Sequence, residues 1–107
     1  MKLLLVAEKE SLQIAKFIGE LARKGNSEIE VEVTMSEKAL AKFFEVEPSH
    51  VLIVSYTDTT AIHTTWHDLV ASASAERILR TGWEPFKGAD YLRMPFDGTR
   101  LNEFIGQ

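Results

Sequence analysis

The chain has 107 residues, 12 Lys and Arg against 16 Asp and Glu for a net charge of −4, 45% hydrophobic residues and no cysteine. That length allows one domain with one core over residues 1–107. The acidic balance argues against nucleic acid as the main partner, because phosphate binding usually takes a basic surplus, and the missing cysteines exclude a disulfide framework and thiol chemistry.

No apolar stretch approaches the ~20 residues needed to span a bilayer. Met1 to Ala7 opens like a signal peptide, but its short apolar run meets Glu8-Lys9-Glu10 at once, so it reads as a strand. A cytoplasmic domain without a membrane partner is the expectation.

Leu3 to Ala7 is a continuous apolar run, suited to a strand buried on both faces. Leu12, Ile14, Ala15, Phe17, Ile18, Leu21 and Ala22 then recur at helical spacing, with Ser11 as N-cap and Gly25 as stop, predicting a helix over 11–24. Glu28 to Val33 alternates polar and apolar, as an edge strand does. Ser36 is expected to cap a second helix with Ala39, Leu40, Phe43 and Phe44 on its inner face, ending before Pro48. Within Val51-Leu52-Ile53-Val54-Ser55-Tyr56, the predicted central strand, Val51 to Val54 is a second unbroken apolar run. Thr57 to Thr65 reads as a polar loop, followed by helix through Trp66, Leu69, Val70 and Ala73. Ile78 to Gly82 gives a fourth strand, Trp83 to Gly88 a loop, and Tyr91 to Met94 a fifth strand stopped by Pro95. Asp97 is expected to cap a last helix through Leu101, Phe104 and Ile105. This alternation predicts an α/β domain, a parallel sheet with helices on both faces joined by right-handed crossovers.

The segment Gly88-Ala89-Asp90-Tyr91-Leu92-Arg93-Met94-Pro95-Phe96-Asp97 resembles the end of a response-regulator receiver domain, which commonly reads Gly-Ala-Asp-x-Tyr-Leu-x-Lys-Pro-Phe. Val31 to Tyr56 resembles that family's second strand, second helix and buried third strand, and Lys2 to Gly25 its first strand and helix. The resemblance implies a flavodoxin-like three-layer sandwich with a five-stranded parallel sheet in the order 2-1-3-4-5. The helix between strands 4 and 5 would be reduced or missing in this chain.

The positions that would carry receiver chemistry have changed. Where the family holds an acidic pair for a divalent cation, this chain has Ala7 and Glu8, followed by Lys9. Mg²⁺ takes hard oxygen ligands in near-octahedral array, and one glutamate beside a lysine is a poor start. The phosphoacceptor position falls on Ser55, or on Val54 if the register slips by one; neither is a carboxylate. Thr81 keeps the hydroxyl after the fourth strand, and Met94 replaces the family's lysine, leaving no charge to pair with a phosphoryl group. Asp58 is the nearby carboxylate that would restore a phosphoacceptor, with Mg²⁺ held near Glu8; its bland reading is a turn residue between Thr57 and Thr59. The resemblance thus implies a non-catalytic pseudo-receiver, with no cofactor and no bound metal, acting in signalling through a protein partner or homodimer. Trp83, Phe86, Tyr91 and Phe96, on the side receivers use for such contacts, are the candidate interface.

Other patterns carry less. Val6 to Ser11 before a helix resembles the opening of Toprim domains, and Ala61 to His67 resembles a later segment of them. That family's Asp-x-Asp is broken here to Tyr56-Thr57-Asp58-Thr59, which removes a metal ligand needed for phosphoryl transfer. His63 and His67 stand at i and i+4, the spacing of a two-histidine metal face, but lack the glutamate of a His-Glu-x-x-His helix. Ser55, Asp58 and His67 invite a hydrolase triad without the Gly-x-Ser-x-Gly turn that would present the serine. Trp66, at helical spacing with Leu69 and Val70, reads as core.

Overall fold

A computed structural model describes residues 2–55, 60–72, 78–82, 91–94 and 98–105. The chain alternates strand and helix from the start. Strand β1 (Lys2–Ala7) leads through a 3-10 turn (Lys9–Ser11) into α1 (Leu12–Gly25), then β2 (Glu30–Met35). A second 3-10 turn (Ser36–Lys38) opens α2 (Ala39–Val46), followed by β3 (His50–Val54), α3 (Thr60–Ser72), β4 (Ile78–Gly82), β5 (Tyr91–Arg93) and α4 (Gly98–Ile105).

Among the described residues the strands form one sheet in the order β2-β1-β3-β4-β5, and every pairing is parallel. Leu5 lies beside Leu52, and Val54 lies between Ala7 and Thr81. Strands β1 and β3 sit inside the sheet with helices packed on both faces, which explains their unbroken apolar sequences. Leu3, Leu5, Leu52 and Val54 pack on one face with Ala15, Ile18 and Ala22 of α1 and Leu101 of α4. Leu4, Val6, Val51 and Ile53 pack on the other with Ala39 of α2 and Ile62 and Leu69 of α3. The α/β class and the parallel sheet expected from the alternation are both present. No helix among the described residues is long and apolar enough to cross a membrane.

Edge strand β2 starts at Glu30 rather than Glu28, because Asn26 first makes a turn: its side-chain oxygen accepts the Glu28 N–H at 3.1 Å and its carbonyl the Ile29 N–H at 3.2 Å. Glu30 and Glu32 stay exposed, and the Arg23 guanidinium donates to the Val31 carbonyl at 3.4 Å; charge and a long side chain both discourage pairing with another edge.

Several expectations need correction. Neither Ser11 nor Ser36 caps a helix with its side chain: Ser11 is buried and donates its N–H to the Glu8 carbonyl at 2.9 Å, while the Ser36 hydroxyl donates to the Glu37 carboxylate at 3.3 Å. Gly25 is the last helical residue, and Asn26 closes α1 by donating to the Ala22 carbonyl. Phe17 is 64% exposed, because Ala15, Ile18, Gly19 and Ala22 make the inner face. On α2 the 3-10 turn delays the helix to Ala39, so Ala39 and Phe43, one turn apart, face the sheet. Leu40 and Phe44, each turned a further ~100°, are 38% and 58% exposed rather than internal. The predicted loop over Thr57 to Thr65 is too long, since α3 begins at Thr60; burial of Ile62 and Leu69 outweighs the modest helix preference of the threonines. The central strand ends at Val54 and β5 at Arg93. The expectations for Trp83 to Gly88, including the missing helix, and for Asp97 as a cap lie outside the described residues.

Candidate functional site

In a parallel α/β sheet, ligands meet the chain just past the carboxyl ends of the strands. Here register sets Ala7, Val54 and Thr81 side by side as the last paired row of β1, β3 and β4. Glu8 and Ser55 come next on their strands. The register therefore sets Ala7, Glu8, Ser55 and Thr81 at one edge. Met94 follows β5 directly and is buried in the core beneath α1 and α4.

Water hardly reaches this row. Ala7 and Thr81 are fully buried and Ser55 is 2% exposed. The Ser55 N–H donates to the Thr81 carbonyl at 3.0 Å, carrying the β3–β4 ladder one step beyond β3. Glu8 brings the one carboxylate of the set; it is half-buried, in extended backbone, and its carbonyl starts the 3-10 turn into α1. Among the described residues this edge carries two hydroxyls, Ser55 and Thr81, one carboxylate, Glu8, and the apolar Ala7. Among the described residues no three His, Asp or Glu side chains come within reach of one ion. Asp58, Trp83, Phe86 and Phe96 lie outside the described residues, and Tyr91 stands in β5 opposite Arg80.

The histidines of α3 form a ring cluster. His63 and His67 stand edge-to-face with centroids 4.5 Å apart, and Trp66 lies 5.1 Å from His67 and 6.0 Å from His63. The His63 Nδ1 is buried and has no hydrogen-bond partner among the described residues. Ring packing with the half-buried Trp66, itself set against the α2–α3 core, accounts for the pair. The exposed His67 makes its ring contacts within this cluster, whereas Ser55 is buried at the sheet edge; nothing described builds a triad from them.

Reading the sequence missed a groove of about 540 Å³ between the start of α2 and the middle of α3. Its floor is Ala39 and Leu69, and Leu40 forms one shoulder. It goes with the 3-10 turn at Ser36–Lys38, after which Leu40 and Phe44 are exposed, a rotation that the apolar pattern of α2 does not signal.

No protein-family model matches the chain, and no curated protein is significantly similar to it. The class of protein that can be stated is therefore architectural, an α/β domain with a parallel sheet.

Proposed function

We propose that the chain is a degenerate receiver-like domain, a pseudo-receiver, that works in cytoplasmic signalling or regulation by contacting a protein partner or a second copy, without catalysis and without aspartyl phosphorylation. The strand order β2-β1-β3-β4-β5, with helices on both faces, supports the receiver-like reading. The observation that carries the loss of chemistry is Ser55: a nearly water-free hydroxyl, next to fully buried Ala7 and Thr81, where such a domain would place its acceptor carboxylate. Buried Met94 in place of a lysine points the same way. Contact through the β4–β5 side, by Trp83, Phe86, Tyr91 and Phe96, belongs to the same proposal.

The test is incubation with Mg²⁺ and a small acyl phosphate donor, followed by intact mass. No gain is expected. A hydroxylamine-labile gain of about 80 Da, one phosphoryl group, that disappears in Asp58→Ala would replace this reading with a working phosphoacceptor using Glu8 for its cation. Metal-dependent DNA cleavage abolished in Glu8→Ala would replace it instead with a Toprim-like enzyme.

A further inference from the structure

Leu40 and Phe44 stand one turn apart on α2, with 38% and 58% of their surfaces open. Side chains at i and i+4 share a helix face, so the two make one apolar strip. The Phe44 ring is held edge-to-face against Phe43, centroids 5.7 Å apart, while Phe43 packs on the core. It is thus an aromatic steadied in an exposed position. The strip runs into the groove between α2 and α3, whose floor of Ala39 and Leu69 is apolar.

Charge decides what fits. The groove is lined by Glu37 from the α2 side and Asp68 from the α3 side, and among the described residues by no lysine or arginine. Both acids are exposed, and neither has an ion pair among the described residues. Of the α2-side lysines, Lys38 follows Glu37 outside the lining, and Lys42 is already 3.4 Å from Glu45. A second copy docked face to face on a two-fold axis would bring this acidic lining against itself, and a phosphate backbone would be repelled. We infer that this face is a docking groove for a basic amphipathic helix of a partner protein. Apolar side chains of that helix would cover Leu40 and Phe44, and a Lys or Arg would lie between Glu37 and Asp68. The inference stands independently of the receiver-like reading and uses none of Trp83, Phe86, Tyr91 and Phe96.

The test uses the full chain, isotopically labelled, titrated with a short synthetic Leu/Lys amphipathic helix and with its Leu/Glu counterpart. Amide shifts on adding the Leu/Lys peptide are expected to concentrate in 36–44 and 64–69, with none on adding the Leu/Glu peptide. Phe44→Ser or Leu40→Ser is expected to weaken binding about tenfold, as loss of an interface anchor does. Both side chains are exposed, so the variants keep the fold, which circular dichroism checks. The double variant Glu37→Gln, Asp68→Asn is expected to lose most of the salt dependence of binding, while Glu30→Gln on β2 leaves the affinity unchanged. Shifts spread over the acidic surface, or equal affinity in Phe44→Ser, would show mere charge attraction and overturn the inference. Concentration-dependent self-association abolished by Phe44→Ser would overturn it in favour of a second copy.

Discussion

Replacing Ser55 with aspartate puts the strand-end argument to its hardest test. Ser55 is 2% exposed, beside fully buried Thr81 and Ala7, and Glu8 stands at the same level on the neighbouring strand. An introduced carboxyl loses its hydration and meets a like charge, and both raise its folded-state pKa above the ~3.9 it has in the unfolded chain. A rise of about 2 units, moderate for a buried acid, corresponds to ~2.7 kcal/mol. The sign follows from which form folding disfavours. Below about pH 4 both states carry the proton and the charge costs nothing; the loss grows as pH climbs towards the raised value near 6, then stays constant. Ser55→Asn has nearly the same size and no charge, so the difference between the two variants isolates the ionisation. Thermal melts from about pH 4 to 8 should show them converging in acid and separating by ~10–20 °C at neutral pH. Equal stability at neutral pH, or a rise of several degrees in the aspartate variant on adding Mg²⁺, would mean that the edge still holds an acid and a cation, and the reasoning would fail.

The core, one close contact and one helix end give further expectations. Leu52 lies in the middle of β3, fully buried between Leu5 and Leu79, so Leu52→Ala should cost about 2–5 kcal/mol in urea unfolding; a loss under about 1 kcal/mol would contradict its central place. At Gly19 an added methyl would lie 3.1 Å from Val31 Cγ1 and 3.3 Å from Leu5 Cδ1. Leu5 is fully buried and Val31 is β-branched, so an overpacking cost of ~1–3 kcal/mol should exceed the ~1 kcal/mol of helix preference gained, and Gly19→Ala should lower the melting temperature. Glu47 closes α2 at φ 52°, in the left-handed region where a Cβ is unfavourable. Glu47→Gly should therefore stabilise the chain by about 0.5–1 kcal/mol, read as a raised urea midpoint.

What sequence could and could not reveal follows from the physics of each signal. Leu3 to Ala7 and Val51 to Val54 are apolar without interruption, and only a strand covered on both faces makes use of that in so few residues; both are buried throughout. The strand-end residues were legible for the same reason, because knowing where β1, β3 and β4 stop fixes Glu8, Ser55 and Thr81 at one edge. Helix rotation was not legible. In α2 every candidate inner residue is apolar, so periodicity alone does not say which stripe faces the sheet, and a 3-10 turn of one extra step exchanges Leu40 and Phe44 for the interior. Phe17 misled in the same way: the inner face of α1 is Ala15, Ile18, Gly19 and Ala22, with Gly19 close to Val31 and Leu5, and Phe17 is turned away from it. Thr60 to Thr65 carries weak helix formers, and its helicity comes from tertiary burial of Ile62, which a local reading does not contain.

Two features of the strand-end row act together. Chemistry at such an edge needs strands that part, so that polar groups face a crevice instead of one another. Here the Ser55 N–H is tied to the Thr81 carbonyl, which extends the ladder where a crevice would open. Ala7 and Thr81 are fully buried in the same row and Met94 is buried in the core, so an acid placed in that row would give up its water. On α2 the balance is reversed. Phe44 and Leu40 keep a cost of exposed apolar surface that the chain could have removed with polar residues on a short amphipathic helix. In a fold that buries the strand-end residues Ala7, Ser55 and Thr81 and leaves Leu40 and Phe44 exposed together one turn apart on α2, recognition has more to gain from that helical face than from the sheet edge.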